Sequence, residues 1–281
     1  MGAARKSSGS REKSETGRKP TLSPTRIATF LECAVKYRYI YIDKIGRFYT
    51  RAQSYFSFGS SLHHVLQSYH EEGAAQTPEQ LVEKLGERWI AAGYESAEQE
   101  REHRAAGEQI VQAYHTAHQE RIAAQTETLH TEKTISCDMG RFKLSGRIDR
   151  IDRHADGRLE IIDYKSGRLE TTPDEVANDL AMSIYQLILK RLNPGTPVFA
   201  TIYCLRSGNQ ASAELSDEQM DEFAAELKTL GEQILDMDYQ SLVPVPLSIC
   251  SHCDFLPRCT RFWRDQERQD DLHESLSEDG L

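Results

Sequence analysis

The chain has no run of about 18 apolar residues, so it offers no membrane-spanning helix. Its opening residues are polar and lack an apolar h-region, so no secretory leader is expected and cytoplasmic residence is the default. No G-x-x-x-x-G-K-(S/T) loop occurs, which argues against a nucleotide-driven motor. No internal repeat is found. Cysteine is scarce, with six in 281 residues: Cys33, Cys137, Cys204, Cys250, Cys253 and Cys259. Three of them crowd near the C-terminal end. In a reducing compartment such crowding points to metal or cluster binding rather than to disulfides.

Hydrophobic residues make up 38% of the chain, enough for one sizeable core or one domain with helical additions. The formal net charge of -10 argues mildly against a protein that coats a polyanion. It is compatible with a metal site that needs carboxylates and with one local groove of opposite sign. Charge is unevenly spread: residues 1–20 carry six basic and two acidic side chains, and the stretch after Arg264 is mostly acidic. Residues 1–22 lack apolar periodicity and read as a disordered basic tail. Residues 23–265 read as the folded domain, and 266–281 as an acidic tail.

Ser23-Pro24 reads as an N-cap with proline at the first helical position, opening a helix that includes Cys33. A second helix is expected near Gly59, with Leu62, Val65, Leu66 and Tyr69 on one face. Further helices are expected over roughly 78–92 and 95–126. The pattern changes near Glu132, where strand-like alternation begins and continues past Ile151. Asp156-Gly157 marks a hairpin turn before the strand Leu159–Tyr164. A helix over about 174–192, an apolar strand over Val198–Leu205 near the sheet centre, and a capping box at Ser216 and Gln219 complete the order. This predicts an α/β fold, a mixed sheet flanked by helices, with N-terminal helices and a C-terminal cysteine loop as additions.

The chemistry concentrates in Gly146-Arg147-Ile148-Asp149 and Ile161-Ile162-Asp163-Tyr164-Lys165. Alternation places Asp163 and Lys165 on one face and Tyr164 on the other. A hairpin would bring Asp149 close to Asp163. Two carboxylates can hold Mg²⁺ or Mn²⁺ through hard oxygen ligands, and such an ion polarises a phosphate and acidifies a bound water. Lys165 could orient that water or offset developing charge. A solvent-facing hairpin carrying an Asp–Lys pair is the bland alternative. His63, one turn after Gly59, could complete the metal site, with His64 as its direct competitor. Cys250-x2-Cys253-x5-Cys259 forms a compact thiol loop. Zinc with a fourth ligand such as His252 is one reading; a [4Fe–4S] cluster with a remote fourth thiol, Cys33 being the best candidate, is the other. Cys137 and Cys204 fall in predicted strands and read as ordinary buried residues.

Taken in order over about 23–262, these motifs resemble the RecB-like PD-(D/E)XK nucleases. More narrowly they resemble the iron–sulfur members: the AddB C-terminal nuclease, exonuclease V and the CRISPR-associated prespacer nucleases. The resemblance implies a restriction-endonuclease-like core. It implies that His63, Asp149 and Asp163, with the Tyr164 carbonyl, bind Mg²⁺ or Mn²⁺, and that Lys165 is the catalytic lysine. It further implies that Cys33, Cys250, Cys253 and Cys259 hold a [4Fe–4S] cluster as a structural staple. The family's Q-x-x-x-Y helix is imperfect here. With Tyr185 as the phosphate-contacting tyrosine, the glutamine position is Ala181; with Gln186 as the glutamine, the tyrosine position is Lys190. The Tyr185 register is preferred. The expected activity is exonuclease cleavage of DNA, with single-stranded ends as substrate, in repair or recombination. Any unwinding would come from a separate helicase, and a repair or CRISPR partner fits the same family. A weakly active nucleic-acid-binding or scaffold subunit of the same fold is the alternative.

Overall fold

The computed structural model describes residues 19–49 and 52–278. The chain opens with a short strand, β1 (Thr21–Leu22), then helices α1 (Pro24–Glu32) and α2 (Ala34–Tyr37). A π-helical turn at Arg38–Ile42 leads on to α3 (Ser54–Glu71), α4 (Pro78–Arg88) and α5 (Ala97–Ala123). Three strands follow, β2 (Glu127–Asp138), β3 (Lys143–Arg153) and β4 (Leu159–Lys165). Helices α6 (Pro173–Ala177) and α7 (Leu180–Leu192) cross over to β5 (Val198–Cys204) and β6 (Gln210–Ala213). Helix α8 (Asp217–Asp236), a 3₁₀ turn at Ser248–His252 and α9 (Leu256–Glu278) close the fold.

One six-stranded mixed sheet results, ordered β1-β3-β4-β5-β6 with β2 on β3. The restriction-endonuclease-like α/β architecture expected from the sequence is therefore present. One sheet face packs Leu144, Ile151, Ile161 and Ile202 against Ile184 and Ile188 of α7 and Leu227 and Ile234 of α8. The other packs Ile162, Tyr164 and Tyr203 against Leu62 and Leu66 of α3, Leu85 of α4 and Val111 of α5. Strand β4 is covered on both faces, so its residues are buried nearly without a break, Glu160 and Asp163 included.

Several boundaries differ from the sequence reading. The basic tail ends before residue 22: Thr21 and Leu22 pair in parallel with Lys143 and Leu144. Residues 1–18 lie outside the described residues. Cys33 is not inside a helix; it is the extended C-cap of α1, and its Sγ caps α2 by accepting from the Lys36 N–H at 3.4 Å. The helix expected over 174–192 is two, because the Asp179 carboxylate accepts from the N–H groups of Ala181 and Met182 and starts α7 afresh. The acidic stretch from 266 continues α9 as far as Glu278. Strand β5 lies one place from the sheet centre, with β4 between it and β3. The short edge strand β6 alternates exposed and half-buried residues over only four positions.

Under β4 lies a buried charged network. Arg150, 2% exposed, pairs with the fully buried Asp152 at 3.0 Å. It also donates to the Tyr114 and Tyr164 hydroxyls and to His70. Burial, then the Arg150 charge, holds His70 well below its usual pKa, so it is neutral and can accept. On the neighbouring strand position, Glu160 accepts from Arg121, from Thr201 at 2.6 Å and from His154 at 2.7 Å. Charges buried this way are paired, as they must be.

On the opposite face, Gly146 of β3 lies directly under the Tyr185 ring. A Cβ at Gly146 would stand 2.3 Å from Tyr185 Cε1, so no other residue fits without moving β3 or α7. Gly146→Ala should therefore lower stability by about 1–3 kcal/mol, the usual cost of overpacking. Urea unfolding measures it, and combining it with Tyr185→Ala should remove most of the increment attributable to the clash. Equal stability of Gly146→Ala and the parent would contradict the packing described.

Candidate active site

Strands β3 and β4 pair through Arg150–Ile162 and then part. Strand β4 continues beside β5 through Asp163, Tyr164 and Lys165. Asp149 sits at the parting, and its Oδ2 accepts the Tyr164 backbone N–H at 2.8 Å. Strand β3 also changes phase there. Leu144, Ile148 and Ile151 all join the same core, although the step from 148 to 151 is odd and regular alternation forbids it. The parting and the phase change turn the Asp149 carboxylate out of the sheet toward α3.

Helix α3 supplies the imidazole. A Cβ at Gly59 would meet Ser166 Oγ at 2.8 Å, so glycine lets α3 close on the end of β4. One turn later His63 Nε2 reaches the Tyr164 carbonyl at 3.1 Å, and Nδ1 lies 3.4 Å from Asp149 Oδ1. His64 also borders the cleft but is exposed. The G-x-x-x-H spacing thus has a physical reason, and it selects His63.

Glu132 is the residue that sequence reasoning missed as a site residue. It stands between the pairs Thr131–Arg150 and Lys133–Ile148, hence across from Asp149. Its φ of +47° is left-handed, rare for a non-glycine residue and costly within a strand. Its Oε1 is 3.8 Å from His63 Nδ1, and its Oε2 pairs with Arg147 Nε at 2.5 Å. Ligand atoms of His63, Glu132 and Asp149 all lie within 4.8 Å of one another. Asp163 stands outside that triple. It is 9% exposed, with Lys165 Nζ 2.7 Å from its Oδ2. That contact is not aligned as a hydrogen bond, and Oδ2 has no other partner. An orphaned, buried carboxylate oxygen beside a second carboxylate and an imidazole is a donor set that fits a divalent cation.

Electrostatics tie these groups together. Burial alone would push the His63 pKa down; hydrogen bonds to Asp149 and Glu132, with the field of Asp163, outweigh it and bring it to about 10. Burial and the Asp149 charge push Asp163 up to about 6, against the pull of Lys165. For Lys165, burial is overcome by Asp163, which raises its pKa and keeps it cationic. The open cleft above these groups, about 520 Å³, is walled by Tyr55, Phe56, His63, Glu132, Arg147 and Lys165 among others.

Tyr185 is buried against Gly146 and is not part of that wall; burial, then Asp163 and Asp149, raise its hydroxyl pKa. Ala181, at the glutamine position of the Tyr185 register, packs at the edge of the core. Gln186 is fully buried and accepts the Leu215 N–H at 3.1 Å, while Lys190 donates to the Leu215 carbonyl at 2.8 Å. Those two residues serve the start of α8, which removes the Gln186 register from the site.

At the other end of the domain, Cys33, Cys250, Cys253 and Cys259 line one apolar cavity with Val35, Tyr39 and Phe255. The Leu247 N–H donates to Cys250 Sγ at 3.3 Å. His252 is exposed, bonds Ser251 Oγ at 2.9 Å and is absent from the cavity wall. No three of the four thiols lie within 4.8 Å of one another. A tetrahedral zinc site, with Zn–S bonds of about 2.3 Å, needs them closer than that. Cys204 is fully buried in β5, as expected; Cys137 is half-buried, 3.8 Å from Arg191.

A model of the PD-(D/E)XK nuclease superfamily matches residues 21–260. No curated protein matches the sequence. A solved structure titled "Crystal structure of SSO0001" is similar over 88% of both chains, at 13% identity and a TM-score of 0.37. No described helix is long and apolar enough to cross a membrane.

A raised His63 pKa means that the metal-free site holds a proton at neutral pH, and an imidazole must lose it to ligate. Divalent-ion binding should therefore release about one proton per ion between pH 7 and 9, so affinity rises with pH. Below pH 6 release should grow, as Asp163 is then protonated too. Calorimetry in buffers of different ionisation heat counts these protons. His63→Gln should abolish the release at pH 8; undiminished release in that variant would show that His63 is not its source.

Proposed function

Since the chain belongs to the PD-(D/E)XK nuclease superfamily, we propose that it is a Mg²⁺- or Mn²⁺-dependent DNA exonuclease that trims single-stranded ends in repair or recombination. The observation that carries this reading is the junction of Asp149, Asp163, Lys165 and His63 at the parting of β3 and β4. Asp149, Asp163, His63 and the Tyr164 carbonyl would hold the ion. When bound, such an ion polarises the scissile phosphate and lowers the pKa of a water. The Lys165 ammonium, charged at all relevant pH, can donate to that water and offset charge on the phosphate oxygens. Tyr185 fixes β3 through Gly146 and so positions Asp149. The complete acid–lysine set supports cleavage over a purely scaffolding role, despite Ala181 in place of the family glutamine.

The four thiols support a [4Fe–4S] cluster better than zinc. They line one cavity, His252 stands outside it, and the spacing exceeds that of a single tetrahedral ion. The cluster would bolt the α1–α2 junction to the 3₁₀ turn at Ser248–His252 and the first turn of α9, and do no redox work in cleavage.

Release of nucleotides from end-labelled single- and double-stranded DNA, with and without Mg²⁺ or Mn²⁺, tests the activity. Asp149→Ala and Asp163→Ala should abolish it while keeping the fold. Lys165→Ala should slow single-turnover cleavage at least about a hundredfold with metal affinity little changed. Full activity in either aspartate variant would remove the assignment. For the cluster, Cys33→Ser should bleach visible absorbance and lower the thermal midpoint, whereas Cys137→Ser and Cys204→Ser should keep the colour. Full iron content in Cys33→Ser would reassign the fourth thiol.

A further inference from the structure

Two aromatic side chains stand in the open at the lip of the reactive cleft. Tyr55 and Phe56, in the first turn of α3, are 59% and 60% exposed. Their ring centroids are 4.3 Å apart and the planes are tilted by 39°. Both border the cleft that holds His63, Asp149 and Lys165. Large aromatic faces left in water cost hydration free energy, and a pair of them beside a reactive centre is unlike the scattered exposed apolar residues of an ordinary surface.

The exposed charge around them is cationic, while the carboxylates of Glu132 and Asp149 in the same cleft are largely buried. Arg147, whose side chain is 62% exposed, and Arg168, at 41%, line the same cleft. Arg147 is held by Glu132, and Arg168 lies 4.0 Å from Glu175, so both guanidinium groups keep donors free for a further oxyanion. Helix α3 begins without a side-chain cap and with no acidic residue in its first turn, and Tyr55 and Phe56 of that turn put its positive end at the cleft mouth. Exposed π-faces beside free cationic donors match a chain whose flat, unpaired bases alternate with phosphates. A duplex does not fit this pattern, because its bases are stacked and paired away from such a surface.

We propose that Tyr55 and Phe56 form a base-stacking platform that selects unpaired nucleotides, with Arg147 and Arg168 taking the flanking phosphates. This rests on the nuclease reading of the site and adds the residues that decide which strand enters it. The platform lies on the same helix as His63, two turns before it. A base seated on the rings therefore sets the register of the strand over the carboxylates.

The test is a double cycle on the full chain, with Ca²⁺ as the ion, since it fills carboxylate sites. Fluorescence anisotropy measures affinity for a labelled 12-nucleotide single strand, for the same strand with abasic residues at successive positions, and for a blunt duplex. Tyr55→Ala/Phe56→Ala should bind the intact single strand about tenfold weaker or more. At one position the abasic strand should bind the parent equally weakly, with no further loss on combining the two changes. Tyr55→Phe should retain affinity. Losses that simply add at every abasic position, equal losses on the duplex, or unchanged affinity would each overturn the platform. Metal-dependent cleavage by the unsubstituted protein is scored separately. Its absence would sink the nuclease reading while leaving the stacking cycle able to succeed or fail on its own.

Discussion

Strands β3 and β4 run side by side for only four residue pairs, and the backbone beyond the last pair needs partners other than a ladder. The Asp149 carboxylate meets part of that need by accepting the Tyr164 N–H. The same bond fixes the carboxylate at the fork and turns the Tyr164 carbonyl toward α3, where His63 meets it. Gly59 eases that approach, since a Cβ there would meet the Ser166 hydroxyl at 2.8 Å. Site geometry here is a consequence of backbone satisfaction, with the reactive groups serving as the substitutes for missing sheet bonds.

A buried network on the α3 face of the sheet braces this fork. The Arg150 guanidinium, packed beside the Tyr164 ring and bonded to its hydroxyl, pins β4 from below. Its charge is answered by Asp152, and the neighbouring Glu160 by Arg121. Buried ion pairs of this kind are weak sources of net stability, but each would leave an uncompensated charge if its partner moved. Arg121, paired with both Asp152 of β3 and Glu160 of β4, therefore resists sliding of one strand past the other and keeps the register that sets Asp149 across from Asp163.

Much of this was legible in the sequence. Alternation alone put Asp163 and Lys165 on one side of a strand, and the turn at Asp156-Gly157 returned that strand toward Asp149; Gly157 has the positive φ such a turn requires. What escaped was set by tertiary contact. Glu132 looked like the start of a strand because its left-handed backbone, the feature that aims it at the site, leaves no trace in residue type. The two-residue strand β1 is too short for any periodicity and exists only because β3 offers a free edge. Asp179 splits the crossover helix through a capping bond that a window of apolar residues conceals. The structural task of Gln186, which holds the Leu215 N–H, is likewise invisible in residue type.

The pairing of β1 with β3 also constrains the order of events during synthesis. Thr21 must wait for Lys143, 122 residues later, and Cys33 for Cys250, 217 residues later. Contacts of such long separation close slowly, and a chain that emerges from its N-terminus makes them last. The first helix packs on α7, and Tyr37 stacks on Tyr239, so Ile27 and Tyr37 stay uncovered for most of translation. In the nascent chain these first helices therefore wait longest for their cover.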